Sequence, residues 1–225
     1  MTPANREALA ETFSTSLTLL VFSVVCAGLL AVVYFATHAT IARSEQAEKM
    51  ALVAQTLPQG SFDNDPIHDA QPLPADPLLG LKHPGLAYVA ARAGTPVAVV
   101  LEAAARDGYA GEIKLLIGIQ ADGRIAGVRV TSHRETPGLG DYIDIAKSNW
   151  INQFAGKGVD APPAQDWKVR KDGGQFEYLA GATITPRAVV KAVHKALRYF
   201  EQHKNTLLRA PSQEIKNRSS TKEHE

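Results

Sequence analysis

An α+β domain carried on a single N-terminal transmembrane helix is the fold class this 225-residue sequence predicts. Three observations predict it. An uncharged apolar run lies near the N-terminus. Paired β-type runs are punctuated by Gly and by Asp-Gly. A C-terminal stretch carries its apolar residues at helical spacing. An antiparallel sheet with helices packed on one side buries the apolar faces of both kinds of element.

The apolar run comes first in the chain. No residue from Thr12 to Ala42 carries a formal charge, and its densest part is Leu17–Ala36, LTLLVFSVVCAGLLAVVYFA. A helix needs about 20 apolar residues to cross the hydrocarbon core. A cleaved signal peptide has a shorter apolar region, about 7–15 residues, followed by a small-x-small site. Ala39–Ala42 matches such a site only weakly, so residues 17–37 are read as an uncleaved anchor and residues 1–16 as a short leading segment. Arg6 lies before the span and Arg43 and Lys49 after it, so charge does not set its direction. The only cysteine, Cys26, lies inside the run and is read as a small apolar residue. A lone cysteine rules out an internal disulfide and any multi-cysteine metal site. A net charge of +1 with no basic run gives no electrostatic case for nucleic acid.

Residues 38–85 combine a membrane-proximal helix with an irregular wrap. ARSEQAEKMALVAQ has good helix formers and no breaker, and continues the membrane helix outward. LPQGSFDNDPIHDAQPLPADPLLG, residues 57–80, holds five prolines among Asp, Asn and Gly and is read as irregular. The main domain is placed at 86–203. AYVAA and PVAVVLEA form a hairpin about Arg92–Thr95. EIKLLIGIQ and RIAGVRVTS form a second hairpin about Ala121-Asp122-Gly123, since Asp-Gly between β runs is a strong hairpin signal. Asp141–Phe154 is predicted helical from Ile143, Ala146, Trp150 and Phe154. Pro186–Phe200 is predicted helical from Val189, Val190, Val193, Ala196, Leu197 and Phe200, with Thr185 as N-cap and Pro186 at the first helical position. His194 falls on the flank of that helix and is read as a surface residue. Residues 204–225 lose the apolar period and are read as a disordered tail.

Two segments suit chemistry. His133-Arg134-Glu135-Thr136-Pro137-Gly138-Leu139-Gly140-Asp141 joins a strand to a helix, and its glycines let backbone approach a ligand. It also reads as a plain turn with Asp141 as a cap. Leu179-Ala180-Gly181-Ala182-Thr183-Ile184-Thr185-Pro186 runs small residues into a helix N-terminus, where free N–H groups and the positive dipole end suit a phosphate. That segment also reads as a capped helix start, with Thr185 as cap and Thr183 idle. Local physics leaves both choices open.

The run from Gly108 to Phe200 resembles the FMN-binding domain of the G subunit of the Rnf (Rsx) electron-transport complex. The resemblance rests on GYAGEIKLLIGIQADGRIAGVRVTSHRETPGLGDYI, SNWINQF, WKVRKDGGQFEY and GATITPRAVVKAVHKAL, and the anchor and YVAARAGTPVAVV also fit. The C subunit of the sodium-pumping NADH:quinone oxidoreductase is similar more weakly. The resemblance implies an electron-relaying subunit with FMN joined through its phosphate to Thr183. A separate flavin transferase installs that FMN from FAD. Glu135, Thr136, Pro137, Gly138, Leu139 and Gly140 are then expected against the flavin, and Gly181, Ala182 and Thr185 near the phosphate. Lys171 and Arg187 are the charge partners considered. The domain is expected on the periplasmic side of a bacterial inner membrane, with residues 1–16 cytoplasmic and the other Rnf subunits as partners. The complex couples ferredoxin and NAD redox chemistry to ion movement, and the chain is not expected to be catalytic alone. Two positions depart from the family pattern. Glu177 stands where Asp is usual, six residues before Thr183, and Ala180 where Ser or Thr is usual, three before it. The alternative is a non-redox extracytoplasmic binding or assembly module.

Overall fold

The computed structural model of the chain describes residues 3–58 and 60–209. The tail expected at 204–225 therefore lies outside the described residues from 210 onward. The chain divides into two compact units, Met1–Glu48 and Lys49–Glu225.

One helix, α1 (Pro3–Gln55), starts with proline at its first position, where the missing N–H costs nothing. Its segment Ser16–His38 is 23 residues long with a mean hydropathy of 2.6. Every side chain in that segment is exposed except half-buried Cys26. A helical segment that is apolar all round and exposed along its length suits lipid as its surroundings.

The second unit is built on a five-stranded antiparallel meander in the order β1-β2-β3-β4-β5. The strands are β1 (Ala70–Leu73), β2 (Gly85–Arg92), β3 (Thr95–Ala105), β4 (Ile113–Gln120) and β5 (Ile125–Ser132). Both expected hairpins form. Arg92 pairs with Thr95 across Ala93 (φ +49°) and Gly94 (φ +75°), the doubly left-handed turn that matches strand twist. In the second turn the Asp122 carboxylate accepts the Arg124 N–H at 3.0 Å. The stretch read as irregular at 57–80 supplies β1, with Pro72 inside it and Pro74 just after it. As an edge strand, β1 tolerates the missing N–H.

One face of the sheet packs on α2 (Ile184–Leu207). Val99, Leu101, Leu115, Ile117 and Ile119 join Val189, Val193, Leu197 and Phe200 in one core, all essentially inaccessible to water. Each such side chain contributes about 1.5–3 kcal/mol of burial. The helix extends four residues past His203, to buried Leu207. The sequence predicts helices on one side only, yet the other face is covered too. Val53 and Leu57, at and just past the end of α1, pack there with Tyr88, Ala90, Val100 and Leu116. Gly118 and Gly127, paired across β4 and β5, make that approach possible. A Cβ on either would come within 2.6 and 2.9 Å of the Thr56 carbonyl oxygen.

Three sequence expectations are corrected here. Residues 141–154 are not one helix but two 3-10 turns, Asp141–Ile143 and Asn149–Phe154. Asp144 and Ser148 between them are extended, and the Ser148 hydroxyl accepts the Trp150 N–H. The helical apolar spacing instead serves an aromatic cluster, in which Phe154 lies 5.5 Å from Trp150, 4.9 Å from Phe176 and 6.3 Å from Trp167. His194 is not a free surface residue, since its ring stacks on Trp167 at 4.9 Å and 3°. Thr185 is not the N-cap, because α2 begins at Ile184 and Thr183 holds that place.

Candidate functional site

The strand β5 delivers the first segment and the start of α2 the second. After Ser132 the chain turns at His133, whose Nδ1 accepts the Glu135 N–H at 3.1 Å. Residues 136–140 close on themselves, with the Leu139 and Gly140 N–H groups donating to the Thr136 carbonyl at 3.1 and 3.0 Å. Gly138 takes φ +76°, and its N–H donates to the buried Asp141 carboxylate at 2.8 Å. Asp141 thus ties the turn behind it and does not cap a following helix.

The second segment turns at Gly181 (φ +90°), and the Ala182 N–H donates to the Leu179 carbonyl at 3.0 Å. Leu179 is in turn tied to the Tyr142 hydroxyl at 3.2 Å. Burial pushes the Tyr142 phenol above its ordinary range, so it stays a neutral donor and acceptor. The two segments meet across a cleft of about 380 Å³ lined by Tyr109, Glu135, Thr136, Leu139, Gly140 and Gly181–Thr185. That volume lies within the range of small-molecule sites.

At the start of α2, the N–H groups of Ile184 and Thr185 have no partner within the helix. Pro186 has no N–H to offer. The two threonines differ. Thr185 is 1% exposed, and its hydroxyl donates to Glu135 Oε2 at 2.5 Å. Thr183 is 9% exposed, lines the cleft, and makes no side-chain cap bond. Glu135, itself 4% exposed, also accepts the Ala110 N–H at 3.1 Å. It therefore ties the 108–111 turn, the 136–140 turn and the first turn of α2 around the cleft.

Of the expected site residues, Pro137 and Gly138 form the outer, exposed part of their turn and do not line the cleft; the others do. Arg187 is already committed. Its Nε and Nη2 hold the Asp172 carboxylate at 2.6 and 2.5 Å, which keeps Asp172 below the usual carboxylate range. Neither Arg187 nor Lys171 lines the cleft. Glu177 pairs with Arg170 at 2.8 Å, and Ala180 is exposed. Tyr109 and Ile184 line the cleft without having been singled out from the sequence. Tyr109 is 69% exposed between Gly108 and Gly111 (φ +123°), and those bracketing glycines were its one readable sign.

Comparison with known proteins covers both parts of the chain. The family model of the FMN-binding domain matches residues 108–198, and that of the RnfG N-terminal region matches residues 7–56. The G subunit of the ion-translocating oxidoreductase complex of Pseudomonas aeruginosa (strain UCBPP-PA14) is 50% identical over 187 residues, 83% of this chain and 87% of that protein. The protein of the same name from Vibrio cholerae serotype O1 (strain ATCC 39541) is 48% identical over 196 residues, 87% of this chain and 93% of its own length. That of Shewanella baltica (strain OS223) is 45% identical over 193 residues, 86% of this chain and 91% of its own.

Proposed function

The chain belongs to the family of G subunits of ion-translocating oxidoreductase complexes, and from that premise we propose that it is an electron-carrying subunit whose FMN sits in the cleft between residues 135–140 and 181–185, joined through its phosphate to Thr183. The observation that carries this reading is the contrast between the two threonines. Both lie at the start of α2, but Thr185 has its hydroxyl spent on Glu135, while Thr183 presents an uncommitted one to the cleft.

The residues present fit the group. A phosphate at Thr183 meets the free N–H groups and positive dipole end of α2, so it needs no lysine or arginine in the cleft. A Cβ built on Gly181 meets nothing within 4 Å, which leaves space beside the attachment point. Leu139 and Ile184 offer apolar surface, 49% and 47% exposed, to an aromatic ring. When bound, FMN supplies the redox chemistry, and the protein tunes it by contact and burial. In maturation Thr183 would supply the oxygen of the phosphoester, taking the FMN half of FAD from the transferase with AMP as the leaving group and the hydroxyl proton passing to a base. The ester then prevents loss of the cofactor from an extracytoplasmic protein.

The chain sits in the bacterial inner membrane alongside the other subunits of the complex, a reading that the apolar helix and the related proteins support. The FMN-binding domain lies in the periplasm and the N-terminus in the cytoplasm. The test of the attachment is co-expression with the flavin transferase and denaturing electrophoresis under ultraviolet light. Wild type fluoresces and Thr183→Ala does not. A fluorescent Thr183→Ala band overturns the assignment.

A further inference from the structure

We propose that Glu135 is the residue that selects Thr183 over Thr185 for flavin attachment, by holding the Thr185 hydroxyl and closing the chain over it. The proposal rests on the covalent FMN reading above and deepens it. Two threonines lie two positions apart at the same helix start, each with a hydroxyl able to form the same phosphoester. Something other than residue type must separate them.

The geometry around Thr185 does so. Its hydroxyl donates to Glu135 Oε2 at 2.5 Å, with both side chains buried. Such a bond to a carboxylate would increase the nucleophilicity of an accessible hydroxyl. Here the hydroxyl is spent on that bond and the residue is buried. A Cβ added to Gly140 would stand 3.0 Å from Thr185 Oγ1 and 2.8 Å from Glu135 Oε2, so the backbone of the 136–140 turn lies directly on the pair. Thr185 borders the cleft but is only 1% exposed, against 9% for Thr183. The second carboxylate oxygen accepts the Ala110 N–H, and a Cβ on Gly108 would come within 2.9 Å of it. Two glycines on two turns thus admit one carboxylate, which uses one oxygen on each side. The arrangement leaves Thr183, two positions upstream and lining the cleft, as the hydroxyl of the pair that is not already held.

Methionine separates this role from mere volume. Met is unbranched and about as long as Glu but has only a weakly accepting sulfur in place of the carboxylate, so the ties to the Ala110 N–H and the Thr185 hydroxyl are both lost. The full-length chain is co-expressed with the flavin transferase, and FMN is located by mass analysis of the peptide that contains both threonines. Wild type carries FMN on Thr183, and Thr183→Ala carries none. The double variants Thr183→Ala/Glu135→Met and Thr183→Ala/Glu135→Ala carry it on Thr185, at least about tenfold above Thr183→Ala alone. Thr185 left unmodified in a double variant that keeps the wild-type circular dichroism spectrum overturns the proposal. Thr183→Ala that is itself modified on Thr185 also overturns it, while leaving covalent flavin intact. A wild-type peptide with no flavin mass overturns the attachment reading instead. Methionine keeps most of the side-chain volume, so that variant keeps the test decisive where alanine loosens the fold.

Discussion

At the scale of single residues, the cleft depends on glycines of two kinds. Gly140 is there for space. An alanine Cβ would meet Glu135 Oε2 at 2.8 Å, Glu135 Cβ at 2.9 Å and Thr185 Oγ1 at 3.0 Å, none of them a free end. Gly181 is there for conformation, with open space around it and φ +90°. Gly140→Ala is therefore expected to destabilise the chain by about 1–3 kcal/mol through overpacking. Gly181→Ala should cost nearer 1 kcal/mol, from the left-handed backbone alone. Urea unfolding of the detergent-solubilised protein measures both; equal costs would contradict the distinction. His194 supplies a pH effect at the same scale. Burial against Trp167 lowers its pKa, so the unfolded chain binds its proton more readily than the folded one. The folded state then loses stability as pH falls below about 6.5, the unfolded value, and regains it above. The unfolding midpoint should drop between about pH 7.5 and about pH 5.5 in wild type, and drop less in His194→Gln. The Asp172–Arg187 pair works in the opposite range. Its depressed carboxylate contributes above the unfolded value of about 3.9 and is lost only at more acid pH, so it does not mask the histidine.

At the scale of elements, the end of α1 is part of the domain core. Val53 and Leu57 are 1% and 4% exposed against the second face of the sheet. Leu57→Ala is expected to cost about 2–5 kcal/mol, as for other buried leucines. A fragment starting at residue 86 loses β1 and this cover, and leaves Tyr88, Val100 and Leu116 open to water. It should aggregate, whereas a fragment starting at Lys49 should remain monomeric in size-exclusion chromatography. Both hairpins were legible in the sequence because Gly and Asp-Gly turn chemistry is local. The helix of residues 184–207 was legible because its apolar stripe repeats for several turns. Residues 141–154 misled because aromatic side chains at helical spacing also fit a cluster gathered from distant segments, with Trp167 and Phe176 completing it. The edge strand β1 was hidden among prolines, and only its pairing with β2 makes it a strand.

At the scale of the whole molecule, the apolar helix and the FMN-binding domain define a membrane-attached redox subunit. Its orientation is testable directly. Alkaline phosphatase fused to the C-terminus should be active in cells if the domain is periplasmic, and an inactive fusion of normal abundance would reverse the topology. The sequence alone determined the membrane span, the hairpins, the main helix and, through its motifs, the family and the threonine expected to carry flavin. These are properties of short runs, set by transfer free energy, turn chemistry and residue periodicity. The tertiary structure decided the rest. It brought residues 135–140 against 181–185, buried the Glu135 carboxylate between two glycine turns, and committed the Thr185 hydroxyl while leaving that of Thr183 free. Those distinctions join residues fifty positions apart. They depend on which buried polar group finds a partner, and only the packed chain sets that.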